Sequence, residues 1–535
     1  MYDLVIKGGT IIDGTGKGRF ESDIAVADGF IKKIGVVDDS EGKEVINAKG
    51  LMVTPGFIDS HNHSDFFILL GTNGQNELEQ GFTTEMLGQC GESAAPFYAG
   101  TYDAVRNMVP PEAFKKLEKK QKTPSLYMKN LEEKTFGTNF GLLVGHLSVR
   151  GHVMGSKSDR PTEDEMKQMR ALVREAMECG YFGFSVGLVY PPSVYASEEE
   201  LVDLAKVAAS HGGIYSSHIR GEDDRVVQAV EEALRIGGKA GADVVISHHK
   251  VAGKQNEGLS RKTLKLIDEA NESGMKVRMD QYPYLAGACG LIDAVPPVFR
   301  ENGSEYLFEG LKKPEFRTEV RNVIENDIGE FENFIYKSGF EGCLILTCPI
   351  DNYVGKSIEE IAREKKEDPY DTFFDILLET GGNALCAYFM VVESDMKRIF
   401  CHPYTMAGTD FMHVLKEPDP KQKGGWHPRS TSTAIKRLCM VRDEKLMSIE
   451  QEINRLTGMP ADFYNIKDRG VLETGKAADI VVFNLDELRT EADYIYPLKK
   501  NAGIKYVLVN GEVVVSDGAY NGKRAGKVLK HKCEK

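Results

Sequence analysis

The middle of the chain alternates between strand-like and helix-like segments, and this alternation constrains the fold more than any other feature. Helical periodicity with clear start and stop residues separates several strand-like runs, as in the segment from Ser197 to Gly213, where Ser197 and Glu200 form a capping box. Eight short apolar runs have the length and composition of β-strands, at residues 51–61, 82–90, 139–147, 181–190, 212–218, 243–249, 276–284 and 403–410. Eight strands alternating with helices predict an α/β fold, the (β/α)8 barrel.

Both ends of the chain are rich in short β-strands separated by glycine turns, and Asn510-Gly511 is a strong hairpin signal. We therefore expect one small β-domain built from both termini, residues 1–52 and 466–535, beside a barrel at residues 53–465. The long interval between the seventh and eighth strands predicts an inserted subdomain at about residues 286–345. The helical segment that follows fits the outer ring of the barrel.

The charge and cysteine content exclude several classes of protein. A net charge of -14 over 535 residues argues against a nucleic-acid-binding surface, so an anionic substrate needs a local lysine or arginine. The nine cysteines are odd in number and lack the spacing of a disulfide scaffold, which favours reduced thiols. Without a signal-peptide pattern or a long apolar stretch, we expect a cytoplasmic protein with no membrane partner. The sequence does not determine the oligomeric state.

Side chains able to bind a metal or transfer a proton stand at the carboxyl ends of the predicted strands, where barrel enzymes carry their chemistry. Because side chains alternate along a strand, the histidines of an H-x-H motif point to the same side. The residues at these ends are His61, His63, Cys90, His218, His248, His249 and Asp410. Each alone has a structural explanation: Cys90 can be core and Asp410 a helix cap. Together, thiolate and imidazole donors predict zinc, with a coordination position left for water.

The chain resembles the amidohydrolase superfamily, and more closely its N-acyl-D-amino-acid deacylase (D-aminoacylase) branch. The resemblance covers nearly the whole chain and is carried by "PGFIDSHNHSD", "QCGESAAP", "GLVYPPSVYAS", "SSHIRGE", "ISHHK", "DQYPY", "HPYTMAGTD", "HPR" at residues 427–429 and "GVLETGKAADIVVF". It implies a zinc-dependent hydrolase that removes the acyl group from small N-acyl-D-amino acids. It also implies a β-domain built from both termini and an insertion after the seventh strand.

The resemblance also implies roles for individual residues. Cys90, His218 and His248 would hold one zinc tightly, and His61 and His63 would form a weaker or accessory metal position. Asp410 would act as general base towards the attacking water and as general acid towards the departing amine.

The substrate carboxylate would be bound by Lys250, Tyr190 and Tyr282. Arg220 is a second candidate cation, although an internal pair with Glu222 or another acid is its plainer explanation.

Three positions depart from the usual pattern of this branch: Gln89 replaces asparagine, Glu92 replaces a small or apolar residue, and Phe411 replaces glycine. None of them is a predicted metal ligand. Glu92 and Phe411 lie near the predicted mouth, so the substrate side chain cannot be inferred from the family.

Three other functions remain open at this stage. A cyclic-amide hydrolase of the dihydroorotase or hydantoinase type shares the barrel and the H-x-H motif, but the lysine that usually bridges two metals on its fourth strand is absent from "YFGFSVGLVY". A deaminase would use similar zinc chemistry. A metal-free scaffold protein is the alternative outside enzymes, and the intact ligand set argues against it.

Overall fold

The computed structural model describes residues 1–102, 111–327, 331–414 and 419–532. The strands in chain order are β1 Tyr2–Ile11, β2 Phe20–Ala27, β3 Phe30–Ile34, β4 Gly42–Asn47, β5 Met52–Pro55, β6 Phe57–Asp59, β7 Phe82–Leu87, β8 Asn139–Gly145, β9 Gly183–Gly187, β10 Ile214–His218, β11 Val244–Ile246, β12 Val277–Gln281, β13 Ala286–Gly290, β14 Cys343–Thr347, β15 Leu385–Phe389, β16 Thr405–Ala407, β17 Ile480–Phe483, β18 Ile504–Val509, β19 Glu512–Ser516 and β20 Ala519–Tyr520.

The helices complete the alternation. They are α1 Asp65–Ile68, α2 Gln75–Leu78, α3 Pro111–Lys120, α4 Pro124–Glu132, α5 His146–Met154, α6 Glu163–Glu178, α7 Glu198–Ala209, α8 Val226–Ala240, α9 Ser260–Glu272, α10 Gly303–Leu311, α11 Pro314–Glu325, α12 Phe334–Ser338, α13 Ile358–Lys365, α14 Pro369–Thr380, α15 Glu393–Cys401, α16 Arg429–Glu444, α17 Ile449–Leu456 and α18 Gly458–Phe463. Among the helices described, none combines the length and the apolar character needed to cross a bilayer.

Eight parallel strands form the barrel in the order β6-β7-β8-β9-β10-β11-β12-β16. Backbone hydrogen bonds close it between the first and last strands, since Ser60 N donates to Ala407 O at 3.0 Å and Asp410 N to His61 O at 2.8 Å. Each of the eight strand-like runs in the sequence contains one barrel strand, which confirms the predicted fold. Parallel order places all eight carboxyl ends at the same mouth.

The first predicted strand, residues 51–61, is divided into two strands that belong to different sheets. β5 lies in the terminal β-domain and β6 in the barrel, and Gly56 separates them. A Cβ atom on Gly56 would lie 2.1 Å from the Thr83 hydroxyl oxygen, so only glycine lets the chain pass so close to β7.

The terminal β-domain is a single nine-stranded sheet that joins both ends of the chain. β5 pairs with β17 in antiparallel register, with Val53 opposite Val482. This pairing confirms the composite β-domain. The last described residues leave this sheet, however, because Val528 bridges to Phe140 of β8 and Leu529 is buried beneath the barrel.

The insertion after the seventh barrel strand contains a three-stranded antiparallel sheet in the order β13-β15-β14. It extends beyond the predicted end at residue 345, because its central strand is β15. α13 and α14 also differ from the expectation: they contact each other and elements of the insertion, β14, α10 and α11, rather than the outer ring. Strand alternation alone could not locate this end, since β15 resembles the barrel strands in length.

Large apolar side chains fill the barrel at the end opposite its mouth. One cluster contains Ile58, Met86, Leu143, Phe182, Ile214, Val245 and Met406 from successive barrel segments, and it packs against Phe463, Tyr464, Ile466 and Leu529. This packing closes the amino-terminal end of the barrel, so that access to its interior is from the carboxyl ends of the strands.

The predicted capping box at Ser197 is only half formed. The Ser197 hydroxyl accepts a hydrogen bond from Glu200 N at 3.3 Å, but the Glu200 carboxylate does not return to the cap. It is instead bound by Arg150 Nη1 at 2.7 Å and lies 2.9 Å from His146 Nε2. A buried cation offers the carboxylate a stronger partner than a backbone N–H does.

Candidate active site

The residues proposed from the sequence as metal donors converge at the mouth of the barrel. His218 ends β10, and the others follow the ends of their strands by two to four residues. Their donor atoms form two overlapping groups, each with all its atoms within 4.8 Å of one another. The first group is Cys90, His218 and His248. The second group is His61, His63, Cys90 and Asp410.

The first group is compact. Cys90 Sγ lies 3.3 Å from His248 Nε2, which lies 2.9 Å from His218 Nδ1. Two ligands of one tetrahedral zinc are separated by about 3.3–3.6 Å when the bonds are about 2.0–2.3 Å long. The Cys90–His248 separation lies at the short end of this range and the His248–His218 separation is shorter than it. The three atoms fit one shared zinc ion.

The second group joins the H-x-H motif to the carboxylate. His61 Nε2 lies 3.2 Å from Cys90 Sγ, and the Nε2 atoms of His61 and His63 each lie 3.4 Å from Asp410 Oδ1. Asn62 turns away and donates a hydrogen bond to Asp59 at 2.9 Å. The side chains of the motif therefore alternate as expected, and both histidines lie beside Asp410, the proposed general base.

The protonation of these groups also suits a metal. Burial lowers the pKa of His218 and His248 well below the ordinary value, so both rings are neutral at pH 7 and keep a lone pair for a metal. Burial, followed by the charge of Asp410, raises the pKa of the Cys90 thiol. The thiolate therefore needs a nearby cation, which a bound metal would provide.

Three of these residues have strained backbones: φ is +52° at Cys90, +34° at His248 and +52° at Asp410. This left-handed region costs a non-glycine residue about 1–3 kcal/mol. A Cβ atom on Gly187, at the end of β9, would lie 2.0 Å from the Cys90 carbonyl oxygen. Close packing beneath the mouth thus holds the strained turns that direct these side chains into the site.

A buried carboxylate orients one of the proposed ligands. Glu222 Oε1 lies 3.0 Å from His248 Nδ1 and accepts a hydrogen bond from Lys250 Nζ at 2.6 Å. Hydrogen bonding at Nδ1 directs the Nε2 lone pair towards Cys90, as in many metal sites. Asp280 acts in a similar way, because its Oδ1 lies 3.1 Å from His61 Nδ1 and accepts from His248 N at 2.8 Å.

Asp410 is paired with an arginine that the sequence analysis did not assign. Arg429 Nη1 lies 2.8 Å from Asp410 Oδ2, and both residues are buried. Burial alone would raise the pKa of Asp410, but the guanidinium of Arg429 lowers it well below its usual value. The carboxylate is therefore ionised at neutral pH and able to accept a proton.

The donor groups open into a cavity of about 250 Å³. Eight of the sequence-predicted site residues line it: His63, Cys90, Tyr190, His218, His248, Lys250, Tyr282 and Asp410. His61 lies behind them and is fully buried. His249 also points away, with Nε2 2.8 Å from the Thr263 hydroxyl on α9.

Arg220 does not line the cavity, contrary to its selection as a candidate substrate cation. Its Nε lies 3.0 Å from a carboxylate oxygen of Glu232, and its Nη atoms donate to the carbonyl oxygens of Val194 and Ala196. The internal ion pair suggested by the sequence does exist, but its acid is Glu232 on α8 rather than Glu222. The guanidinium holds the loop after Tyr190.

Sequence reasoning missed Arg429, Glu222 and Asp280 as parts of the site. Each lies in a quoted motif ("HPR", "SSHIRGE" and "DQYPY"), and this position was the available signal. Arg429 begins α16 rather than ending a strand, so the pattern of strand ends does not point to it. The other two act through neighbouring histidines, which a linear pattern does not show.

Known proteins resemble this chain over nearly its whole length. The profile described as "Amidohydrolase family" matches residues 44–320 and 407–515. The D-aminoacylase of Alcaligenes xylosoxydans xylosoxydans is 32% identical over 529 residues, which cover 99% of this chain and 97% of the relative. The structure of N-acyl-D-glutamate deacylase from Bordetella bronchiseptica, complexed with zinc and a phosphonate mimic of the reaction tetrahedral intermediate, has a TM-score of 0.81 at 32% identity and 99% coverage of each chain.

A D-aminoacylase structure is equally similar, with a TM-score of 0.81 at 31% identity and coverage of 99% of this chain and 100% of the other. That enzyme has a binuclear metal centre in which one metal activates and the second attenuates. The likeness extends through the barrel, the insertion and the terminal β-domain.

Proposed function

The chain belongs to the amidohydrolase family, and from this membership we propose that it is a zinc-dependent hydrolase of N-acyl-D-amino acids. The reaction cleaves the amide bond and releases a carboxylate and a free D-amino acid. The observation that carries the proposal is the convergence of Cys90, His218 and His248 beside an ionised Asp410 in one cavity. The full-length similarity to deacylases of N-acyl-D-amino acids supports the substrate class.

We assign the tight zinc position to Cys90, His218 and His248, and the weaker position to His61 and His63. When bound, zinc polarises the scissile carbonyl and lowers the pKa of water towards about 7. Glu222 and Asp280 orient the proposed histidine ligands.

Asp410 is the proposed proton carrier. Its carboxylate takes a proton from the water that attacks the amide carbon and then delivers it to the departing amine nitrogen, so that the C–N bond breaks without releasing an amide anion. Arg429 keeps the carboxylate ionised before the reaction and fixes the direction of its second oxygen. The other oxygen of Asp410, Oδ1, faces His61 and His63, on the side of the proposed metal donors.

Binding of the substrate carboxylate is proposed for Lys250, Tyr190 and Tyr282. All three line the cavity, and the Tyr282 hydroxyl is buried with no hydrogen-bond partner within the described ranges. The Lys250 ammonium lies 5.8 Å from the centre of the Tyr282 ring. Its ammonium group also contacts both carboxylate oxygens of Glu222, at 2.6 and 2.8 Å, and lies 2.9 Å from His248 Nδ1. A substrate carboxylate would therefore share or replace one of these three contacts.

Lys250→Met should lower kcat/KM by at least about tenfold for N-acyl-D-amino acids, because a charge-assisted hydrogen bond to the carboxylate is lost. The matching N-acyl-D-amino acid amides, which lack that carboxylate, should lose much less. Steady-state kinetics on both series, with the exposed Lys262→Met as control, measures the difference. Equal losses on both series would remove Lys250 from carboxylate binding.

The direct test of the proposed function is the release of free amine by the zinc-loaded protein from N-acetyl-D- and N-acetyl-L-amino acids, with hydantoins and dihydroorotate in parallel. We expect turnover of D-substrates and none of the L-series or the cyclic amides. Turnover of cyclic amides alone would show that the protein is a cyclic-amide hydrolase and would contradict the deacylase proposal. A stoichiometric zinc analysis separates an inactive metalloenzyme from a metal-free scaffold.

A cytoplasmic location and the absence of nucleic-acid and membrane partners stay predictions from composition. The eight cysteines within the described ranges are all free thiols, which supports a reducing compartment.

A further inference from the structure

The cavity wall carries seven charged side chains, and six of them form three ion pairs. The pairs are Lys250–Glu222 at 2.6 Å, Arg300–Asp293 at 2.8 Å and Arg429–Asp410 at 2.8 Å. The seventh is Glu92. Each cation on the described cavity wall therefore has a carboxylate partner, and Glu92 is the acidic group without a cation.

Glu92 has no such partner among the residues that the structure describes. Its backbone N–H donates to Gln89 O at 2.9 Å, which fixes the turn after Cys90. Burial, followed by the charges of Asp293, Asp65 and Asp410, raises the pKa of its carboxyl to about 8. It also lies outside both groups of metal donors. A carboxylate in this position is costly unless a cation joins it.

We propose that Glu92 selects substrates that carry a cationic group, an amine or a guanidinium, on the arm that faces it. This arm is either the amino-acid side chain or the acyl group of the substrate. This inference rests on the proposed function and narrows its substrate class. A cation brought by the substrate would complete the fourth ion pair of the wall, and the low dielectric of the cavity would strengthen the contact.

Anionic arms do not fit this part of the cavity. Arg300 is the cation in the inserted segment that lines the cavity, and its charge is already balanced by Asp293. An acidic substrate arm would therefore find no unpaired cation on the described cavity wall, and it would lie beside the carboxyl groups of Glu92 and Asp293. The wall thus distinguishes substrates by the sign of their charge.

The cationic group can belong either to the amino-acid side chain or to the acyl group, so both arms need separate probes. For the side chain, N-acetyl-D-lysine is compared with its uncharged isostere N-acetyl-D-2-aminoheptanoate. For the acyl group, N-(4-aminobutyryl)-D-norleucine is compared with N-pentanoyl-D-norleucine. Within each pair, one compound has a terminal ammonium group where the other has a methyl group. The ratio of the two kcat/KM values therefore measures the effect of the positive charge.

With the zinc-loaded full chain, we expect one of the two ratios to favour the cation by about 10- to 100-fold, the range of a charge-assisted contact. Glu92→Gln should bring that ratio close to one. Glu178→Gln, an exposed substitution at the end of α6, is the matched control and should preserve the ratio. A ratio near one in the unmodified protein for both arms, or a preference that persists in Glu92→Gln, would overturn the inference.

Calorimetry separates this inference from the proposed function. Two pairs of products are titrated into the zinc-loaded protein and into Glu92→Gln. The side-chain pair is D-lysine and D-2-aminoheptanoate, and the acyl pair is 4-aminobutyrate and pentanoate. If no acyl substrate is hydrolysed but the cationic member of a pair binds about tenfold more tightly in a Glu92-dependent way, the inference holds and the deacylase proposal fails. If neither pair shows such a preference in binding or turnover, the inference fails whatever the reaction is.

Discussion

Asp410→Asn is expected to lower kcat by about a thousandfold or more while zinc content stays near that of the unmodified protein, because general acid-base groups contribute about 10²- to 10⁴-fold. Asparagine keeps the shape of the side chain but cannot take a proton from water. The proposed tight zinc donors, Cys90, His218 and His248, do not include Asp410. The measurement is steady-state kinetics together with metal analysis of the same preparation.

The substitution also leaves Arg429 without its carboxylate in a buried position. Some loss of thermal stability is therefore expected, since an unpaired buried charge is destabilising. The control is Asp164→Asn, in an exposed position on α6, which should retain both activity and stability. A folded, zinc-loaded Asp410→Asn variant with more than a tenth of the original kcat would exclude Asp410 as the base.

Cys90→Ala should have the second large effect. Its thiol lies between both donor groups, 3.3 Å from His248 Nε2 and 3.2 Å from His61 Nε2. We expect zinc content to fall from about one ion per chain to a small fraction, with loss of nearly all turnover, because three protein ligands define a catalytic zinc site. Inductively coupled plasma analysis after dialysis against a weak chelator measures the content.

Cys179→Ala is the matched control, because Cys179 lies at the end of α6, outside both donor groups. It should keep zinc and activity. If Cys90→Ala retains a full equivalent of zinc, the tight position belongs to His61 and His63 instead. Restored activity after adding excess zinc would indicate that the imidazoles alone suffice at high metal concentration.

The barrel and the convergence of the proposed metal donors at its mouth could be predicted because both depend on local patterns. Strand and helix periodicity identified the eight barrel strands, and parallel strands necessarily bring their carboxyl ends to one mouth. His218 and His248 could therefore be placed together, although 30 residues separate them. The H-x-H spacing likewise fixed the common side of His61 and His63.

The partners in the ion pairs could not be predicted in the same way. Lys250 and Arg220 were both proposed to bind substrate, but their partners, Glu222 and Glu232, lie on a loop and a helix whose paths the sequence does not specify. Arg429 reaches Asp410 from the start of α16, outside the strand ends altogether. The end of the insertion was missed because β15 pairs with strands distant in sequence.

The sequence by itself therefore determined the barrel, the composite β-domain and the identity of the residues that converge at the mouth, because backbone periodicity fixes the direction of each strand and which side chains stand at its end. Only the tertiary structure decided which charges neutralise one another and which carboxylate is left unpaired in the cavity. Ion pairing depends on separations of about 3 Å between side chains from different loops. No local pattern encodes distances of that kind.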